Sequence, residues 1–321
     1  MTPLRAGVIG VGHLGQHHAR LYAALPEAQL IGVTDQSVAR ARTVADKHGV
    51  RVFHTADELL PHVDVVSVAV PTSGHYDVAK ACLQAGRHVL IEKPIAARPA
   101  EAQELVQLAK QRGCCVQVGH SERFNPVMAL MRPYIGQPVF IECHRLSSFS
   151  ERGTDVDVVL DLMIHDLDLV LSMNPGAVEE VRAAGVAVLS PSIDIANARI
   201  QFRSGCVANL TSSRVSTNKM RRLRLFQRDN YISIDFQTRQ AMICRRNTKA
   251  GERSTVEVEQ FQGGEEEPLK LQLASFLHAV GSGEKPVVSG EEGAAAVEVA
   301  HQVLQAIAAF AARHEEGGSR G

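Results

Sequence analysis

The stretch Leu4-Arg5-Ala6-Gly7-Val8-Ile9-Gly10-Val11-Gly12-His13-Leu14-Gly15 decides the fold. After Arg5 it is uncharged and apolar, as a strand buried on both faces would be. It runs straight into G-x-G-x-x-G, and His17, Ala19, Leu21, Tyr22 and Leu25 follow at helical spacing. Between a strand and a helix each glycine has its own task. Gly10 permits the tight turn, Gly12 leaves the backbone open to a pyrophosphate, and Gly15 lets the helix pack close to the sheet. The first amides and positive dipole end of that helix, around His13 and Leu14, then face the phosphates. A glycine-rich turn is common in α/β proteins, so the context matters. The next predicted strand, Gln29–Thr34, ends in Asp35, twenty residues beyond Gly15. A carboxylate there can hold both hydroxyls of an adenosine ribose and would repel a 2′-phosphate. The expectation is a dinucleotide site that prefers NAD, with NADP left open by nearby Arg40 and Arg42.

Outward from this stretch, strand and helix alternate. Strands are predicted at Arg5–Gly10, Gln29–Thr34, Arg51–Phe53, Val63–Val70, His88–Glu92 and Cys115–Gly119. Helices are predicted at His13–Leu25, Val38–His48, Tyr76–Ala85 and Ala100–Arg112, several stopped by a glycine (Gly49, Gly86, Gly113). This is a doubly wound parallel sheet of Rossmann type over 1–120. Over 121–321 the pattern changes. A helix Pro126–Tyr134, a strand Pro138–Arg145 and a long helix Asp155–Met173 come first. Segments of alternating polarity follow: Val178–Val188, Ile195–Phe202, Val207–Val215, Met220–Gln227, Tyr231–Phe236, Ala241–Arg245 and Thr255–Phe261. They predict a second α+β domain on a large, mostly antiparallel open sheet. Two helices close the chain, Lys270–Val280 and Glu291–Arg313, and a charged, glycine-rich tail from Glu315 is expected to be disordered.

With 34 basic and 35 acidic residues, no global field draws the chain to nucleic acid or to a membrane. No signal peptide is visible, and Ala294 to Ala312, the most apolar long segment, contains Glu298, His301, Gln302 and Gln305 and reads as an amphipathic helix rather than a span. Six cysteines occur, none as C-x-x-C or at zinc spacing, which points to free thiols and a cytoplasmic location.

Three further places carry ionisable or polar groups where chemistry is expected. Ala69-Val70-Pro71-Thr72 ends the fourth strand, on the edge where open α/β sheets bind ligands, so Val70, Pro71, Thr72 and His75 are candidates for cofactor contact. Thr72 or Ser73 would equally serve as a helix cap. Glu92-Lys93-Pro94 ends the fifth strand at the same edge, and Pro94 restricts Lys93 to an extended conformation that fixes its aim. A surface ion pair is the alternative. Asp161-Leu162-Met163-Ile164-His165 places a carboxylate and an imidazole four residues apart, on one helix face. The imidazole can take a proton near neutral pH; a core histidine or a metal pair with Asp157 are the other readings, and no further ligand has suitable spacing.

Together these features resemble the Gfo/Idh/MocA oxidoreductases: an N-terminal G-x-G-x-x-G, an acid after the second strand, E-K-P at Glu92-Lys93-Pro94 and D-x-x-x-H from Asp161 to His165. The resemblance implies that Lys93, Asp161 and His165 form the catalytic group and that Glu92 and Lys93 border the nicotinamide. It also implies that Pro94 follows a cis peptide, and that Arg123 and Asn125 of Arg123-Phe124-Asn125-Pro126 touch substrate. Many members have glycine where this chain has Met163, and a glycine run where it has Val158-Val159-Leu160. The implied reaction is hydride transfer between a sugar carbon and nicotinamide, without a metal.

The segment Asp161 to Leu171, DLMIHDLDLVL, resembles the branch that oxidises the 3-hydroxyl of UDP-N-acetylglucosamine ahead of an aminotransferase, for lipid A. A nucleotide sugar needs cations for its diphosphate, and Arg145, Arg214, Lys219, Arg221, Arg222 and Arg224 are available. A solvated sheet face is the alternative reading of that cluster, and alternation sets Lys219 and Arg221 on the opposite face from Arg222 and Arg224. Turnover of a free sugar, inositol or other polyol, or non-catalytic regulation by dinucleotide binding, are the competing functions. An open antiparallel sheet also predicts a homodimer or homotetramer through the strands from Ile195 to Phe236.

Overall fold

A computed structural model of the chain describes residues 2–149, 156–247 and 255–318. They divide into two compact units: 1–124 with 266–297, and 125–265 with 298–321. The division departs from a single boundary after His120, because the chain returns to the first unit near its end.

In the first unit the elements are β1 (Leu4–Ile9), α1 (Gly15–Ala24), β2 (Ala28–Thr34), α2 (Val38–His48), β3 (Arg51–Val52), α3 (Ala56–Leu59), β4 (Val65–Val68), α4 (His75–Gln84), β5 (His88–Ile91), α5 (Pro99–Arg112) and β6 (Val116–Val118). Among the described residues six parallel strands form one sheet in the order β3-β2-β1-β4-β5-β6. The order reverses direction between β1 and β4, and ligands bind off the carboxyl ends of strands at such a point. The four residues of β4 are all buried, as a strand covered on both faces requires. Gly49 and Gly113 end α2 and α5 in the left-handed conformation expected of a glycine stop.

In the second unit come α6 (Pro126–Met131), β7 (Phe140–Leu146), a π-helical turn at Val159–Met163, α7 (Ile164–Ser172), β8 (Val178–Val186), β9 (Ile195–Phe202), β10 (Val207–Ser213), β11 (Met220–Phe226), β12 (Asn230–Asp235), β13 (Gln240–Asn247) and β14 (Thr255–Gln262). Among the described residues eight strands pair in the order β14-β13-β12-β11-β7-β10-β9-β8. All neighbours are antiparallel except β7 and β10, which run parallel because the chain between them leaves the sheet to build α7 before returning. In β9 buried and exposed residues alternate strictly, so one face of this sheet is covered and the other open.

Two expectations change. The long helix predicted from Asp155 begins with the wider π turn, and α-helix runs only from Ile164; Asp155 itself lies outside the described residues. The last helix, α9 (Gly290–Gly318), follows α8 (Pro268–Ser282) and continues through Glu315, where a disordered tail was expected; 319–321 lie outside the described residues. Helix α8 inserts Leu273, Phe276 and Leu277 into the core formed by Ala6, Val8, Leu21, Tyr22 and Val33. By length and composition Gly290–Arg313 would pass as a membrane span, contrary to the sequence reading. Its apolar stripe, Ala294, Val297, Ala300, Val303 and Ile307, is buried within the protein.

Candidate active site

The glycine loop shows which glycines the protein needs for itself. Gly10 has φ of +84°, and a Cβ there would stand 2.8 Å from the backbone of Ala69 and Val70. A Cβ on Gly15 would stand 1.8 Å from the Gly10 carbonyl oxygen. A Cβ on Gly12 would meet nothing nearer than Arg40 Nη1 at 3.9 Å. Packing within the chain therefore does not require glycine at 12, and the open backbone there leaves room for a ligand to approach. Asp35 lies beside it. One carboxylate oxygen accepts from the Val11 amide at 2.8 Å, the other from the Ser37 amide at 2.8 Å, and Arg40 lies at 3.3 Å. Asp35 thus fastens the glycine loop as well as ending β2. Exposed His13 and Leu14 lead into α1, whose positive dipole end lies at this loop. An open Gly12, a helix N-terminus and a carboxylate after β2 fit a dinucleotide, with Gly10 and Gly15 giving the loop its shape.

The loops after β4 and β5 lie on the same sheet edge. Val70 and Thr72 are half-buried and Pro71 is exposed. Thr72 caps nothing: Thr72–Gly74 is a short 3-10 turn, and the residue before α4 is Gly74. His75 turns inward. Its Nδ1 lies 2.6 Å from the Pro94 carbonyl and its Nε2 2.9 Å from the Val70 carbonyl, so it staples the two loops together. Burial lowers the His75 pKa, against the two carbonyls, which favour the charged form. The Lys93-Pro94 peptide is cis. Glu92 and Pro94 are buried while Lys93 is half-buried. Glu92 is held below the usual carboxylate range: burial alone would raise its pKa, but the His18 hydrogen bond and then the Lys93 charge outweigh it.

In the second unit, Asp161 and His165 are half-buried while Met163, Ile164 and residues 166–170 are buried. The pair therefore sits on the open stripe of an otherwise enclosed segment, one residue in the π turn and one in α7. Local π turns in α-helices often mark functional sites. Two buried ion pairs hold this segment. Arg145 on β7 donates from Nη2 to Asp166 at 2.8 Å, fixing the residue after His165 to the sheet. Arg214 donates from Nε to Asp194 at 2.8 Å and from Nη1 to the Val156 carbonyl at 2.9 Å. Asp194 also accepts from the amides of Val188, Leu189 and Ser190. Asp157 takes the Ile193 amide at 2.9 Å, and Val158 donates to the Ile193 carbonyl, so the same loop fixes the start of the π turn. Among the described residues no group of three His, Cys, Asp or Glu is placed to hold a metal.

The six cations expected at a diphosphate separate. Arg145 and Arg214 are buried in the pairs above. Arg222 and Arg224 pair with Asp235 at 3.4 Å and Glu142 at 2.9 Å. Lys219 and Arg221 are exposed, and Arg221 is the cross-strand neighbour of Arg145. Of the residues expected at the substrate, Arg123 donates to Glu292 at 2.8 Å and to the Val287 carbonyl at 3.0 Å. Asn125 caps α6 and donates to the Phe236 carbonyl at 3.3 Å. Both are held firmly within their own units.

Sequence reasoning missed His18, Ser67, His120, Asp166 and Asp194, all buried. Two signals were there. Ser67 is the one polar residue in the run Val65 to Val68, and a buried hydroxyl needs a partner. The helical pattern took His17 as an inward position, but the buried histidine of α1 is His18.

Comparison with known proteins agrees with this geometry. Residues 4–120 match the oxidoreductase family with an NAD-binding Rossmann fold, and residues 130–232 match the GFO/IDH/MocA C-terminal domain. The UDP-N-acetylglucosamine 3-dehydrogenase of Acidithiobacillus ferrooxidans is 39% identical over 316 residues, 98% of this chain and 100% of that protein. Its solved structure superposes with a TM-score of 0.91 over 97% of this chain and 99% of that one. The myo-inositol 2-dehydrogenase of Thermotoga maritima is 26% identical over 309 residues, 90% of this chain and 92% of that one. A levoglucosan dehydrogenase solved with NADH and levoglucosan shares the fold, with a TM-score of 0.86 over 96% of this chain and 98% of that one at 17% identity. By its two matched domains and its full-length relative, the chain belongs to the Gfo/Idh/MocA oxidoreductases and carries their NAD-binding Rossmann fold.

Proposed function

We propose that the protein is an NAD-dependent dehydrogenase that oxidises the 3-hydroxyl of UDP-N-acetylglucosamine, and that Lys93, Asp161 and His165 are its catalytic group. The full-length likeness to an enzyme of that name carries the reading. The second unit adds physical support. Arg221 stands opposite Arg145, whose own charge is taken by Asp166. Lys219 and Arg221 are exposed on the same side of the strand, and a diphosphate is bound by cations of this kind.

When bound, NAD supplies the acceptor for the hydride leaving the sugar carbon. His165 takes the hydroxyl proton as general base. Lys93 donates a hydrogen bond to the same oxygen and stabilises the negative charge that develops on it. Asp161, one turn from His165, orients the imidazole. Gly10, Gly12 and Gly15 shape the loop for the pyrophosphate, Asp35 receives the ribose, and Val70, Pro71 and Thr72 border the cofactor at the β4 edge. Glu92 and His75 brace that edge from inside. Arg123 and Asn125, fixed by Glu292 and Phe236, complete the substrate contacts.

NADH absorbance tests this with purified protein, NAD and UDP-N-acetylglucosamine, coupled to an aminotransferase that removes the keto sugar. We expect turnover in the wild type, and a fall of about 100- to 10,000-fold in Lys93→Ala and in His165→Ala. No NADH despite measurable NAD binding discards the substrate. Turnover of free inositols or sugars without nucleotide would then assign a polyol dehydrogenase, and none on any panel a regulator.

The open sheet face also supports self-association. Phe140, Phe226 and Tyr231 stack across β7, β11 and β12 with ring centroids 5.5 and 4.9 Å apart, and Phe226 is exposed. A homodimer or homotetramer formed through this face is the proposed state; a monomer by light scattering at micromolar concentration would refute it. Free thiols at all six cysteines support a cytoplasmic location, and the keto product would feed amino-sugar and lipid A synthesis.

A further inference from the structure

Three polar side chains meet in the apolar interior of the first unit, behind the Glu92-Lys93-Pro94 turn. Ser67 on β4, and His18 and Tyr22 one turn apart on α1, are all fully buried. The Tyr22 hydroxyl lies 2.9 Å from Ser67 Oγ, and His18 Nδ1 lies 3.0 Å from the same oxygen. His18 Nε2 lies 3.0 Å from Glu92 Oε1. The other carboxylate oxygen accepts from the Lys93 amide at 3.4 Å. Gly119 closes the far side, where a Cβ would stand 2.8 Å from both carboxylate oxygens. The carboxylate sits in a cradle with no room to turn.

The direction of the hydrogens follows from counting donors. An ionised Glu92 only accepts, so His18 presents N–H at Nε2. Burial holds the Tyr22 phenol in its protonated form, and Ser67 is its one hydrogen-bond partner among the described residues. If His18 also carried a proton on Nδ1, Ser67 Oγ would accept it, only one of the Ser67 and Tyr22 hydroxyls could then donate to the other, and the remaining hydroxyl proton would point into the core unmatched. A stranded donor of that kind is costly. With one proton on His18, every hydrogen has an acceptor: Tyr22 donates to Ser67, Ser67 to His18 Nδ1, and His18 Nε2 to Glu92. The chain is polarised and ends on the residue before Lys93.

We propose that Tyr22, Ser67 and His18 form a one-way hydrogen-bond chain that fixes the Glu92 carboxylate, and that His18 is thereby a positioning residue for Lys93 in the dehydrogenase reaction. The inference rests on the reading of Lys93 as the group that contacts the substrate oxygen. The chain supplies what burial of a carboxylate requires, a donor of fixed tautomer, and places a rigid negative charge beside the turn that aims the lysine.

A double-mutant cycle tests it on the full-length enzyme with the substrate it turns over. His18→Leu removes the donor. It should lower kcat on the order of 100-fold, with NAD affinity and the sugar KM within about twofold, and should displace a limb of the kcat–pH profile. His18→Gln keeps an amide donor for Glu92 and an acceptor for Ser67, and should recover most of the rate and the wild-type profile. In a Lys93→Ala background, His18→Leu should cost little more. If His18→Leu does not fold, Ser67→Ala, which leaves the Nε2–Glu92 bond in place but frees the tautomer, should show the same signature in smaller measure. Rate loss that follows thermal stability with an unmoved pH profile, or that adds in full to Lys93→Ala, would overturn the proposal. Wild-type turnover in Lys93→Ala alone would instead overturn the catalytic reading of Lys93, whatever His18 does.

Discussion

The glycine loop of the first unit and the start of α7 in the second build their geometry by opposite means. The loop is made of backbone. Its shape comes from the closeness of Gly15 to the Gly10 carbonyl and of Gly10 to Ala69 and Val70, with one side chain, Asp35, fastening it. The segment that carries Asp161 and His165 is made of charge. It is held by Arg145 with Asp166 and by Arg214 with Asp194, pairs that lie 21 and 20 residues apart in sequence and are almost fully buried. Backbone geometry is specified by consecutive residues, so it shows in the sequence. A buried ion pair is specified by two residues that neither period nor spacing connects.

The largest effects should come from the charged side. Removing one partner of a buried pair leaves the other charge uncompensated, at a cost of about 3–5 kcal/mol. Asp194→Ala should lose that much by urea denaturation, because Arg214 and the amides of Val188, Leu189 and Ser190 all lose their acceptor. It should also lower kcat, since the same loop fixes Asp157 and Val158 ahead of the π turn. A loss below about 1 kcal/mol would mean that the segment is held by packing, and the contrast between the two regions would fail.

The glycine loop should break in two separable ways. In Gly15→Ala the new Cβ would collide with the Gly10 carbonyl at 1.8 Å, so the backbone must move. We expect a loss of about 1–3 kcal/mol together with NAD binding. In Gly12→Ala the Cβ enters open space, so stability should stay within about 0.5 kcal/mol of the wild type. NAD affinity, measured by calorimetry, should nevertheless fall at least about tenfold, or ~1.4 kcal/mol. Equal stability losses in the two variants would show that Gly12 serves the fold after all.

The same contrast explains what the sequence revealed. The doubly wound parallel sheet, the glycine loop and the acid after β2 were legible because each is a local pattern, while the cis Lys93-Pro94 peptide was implied by the family resemblance. Alternation gave the open sheet and the opposite facing of Arg221 and Arg222. The parallel pairing of β7 with β10 was not legible, because alternation reports which side is buried and says nothing of a strand's direction. The π turn at Val159–Met163 was read as plain α-helix, since one widened turn leaves the apolar pattern almost unchanged. Arg145 and Arg214 looked like ligand-binding cations because their partners, Asp166 and Asp194, could be identified only in three dimensions. His18 was hidden by its neighbour His17, and Ser67 gave the only hint of what it meets.

The smallest expected effect sharpens the comparison through pH. His120, just beyond β6, is buried, and its pKa is pushed down to about 3, first by burial and then by the charges of Lys93 and Arg123. In the unfolded chain it would titrate near 6.5, at about the ordinary histidine value. Between these values the unfolded chain binds a proton that the fold refuses, so stability is complete above about 6.5 and falls as pH drops toward 3, by up to about 1.4 kcal/mol per pH unit. Asp194 behaves differently. Burial opposes its charge, but Ser190, Arg214 and the loop amides outweigh it and hold its pKa far below the usual range. Its stabilisation, present above the unfolded carboxylate value, is therefore untouched between pH 7 and 5.5. Over that interval His120→Asn should lose about 1 kcal/mol less stability than the wild type in urea melts, while Asp194→Ala should lose as much as the wild type. His75 and His88 also have lowered pKa values and add the same sign in every variant, so the difference between proteins reports His120 alone. An identical loss in wild type and His120→Asn would mean that the buried imidazole accepts its proton in the fold, and that the backbone-built unit tolerates a charge that the charge-built unit has to pair.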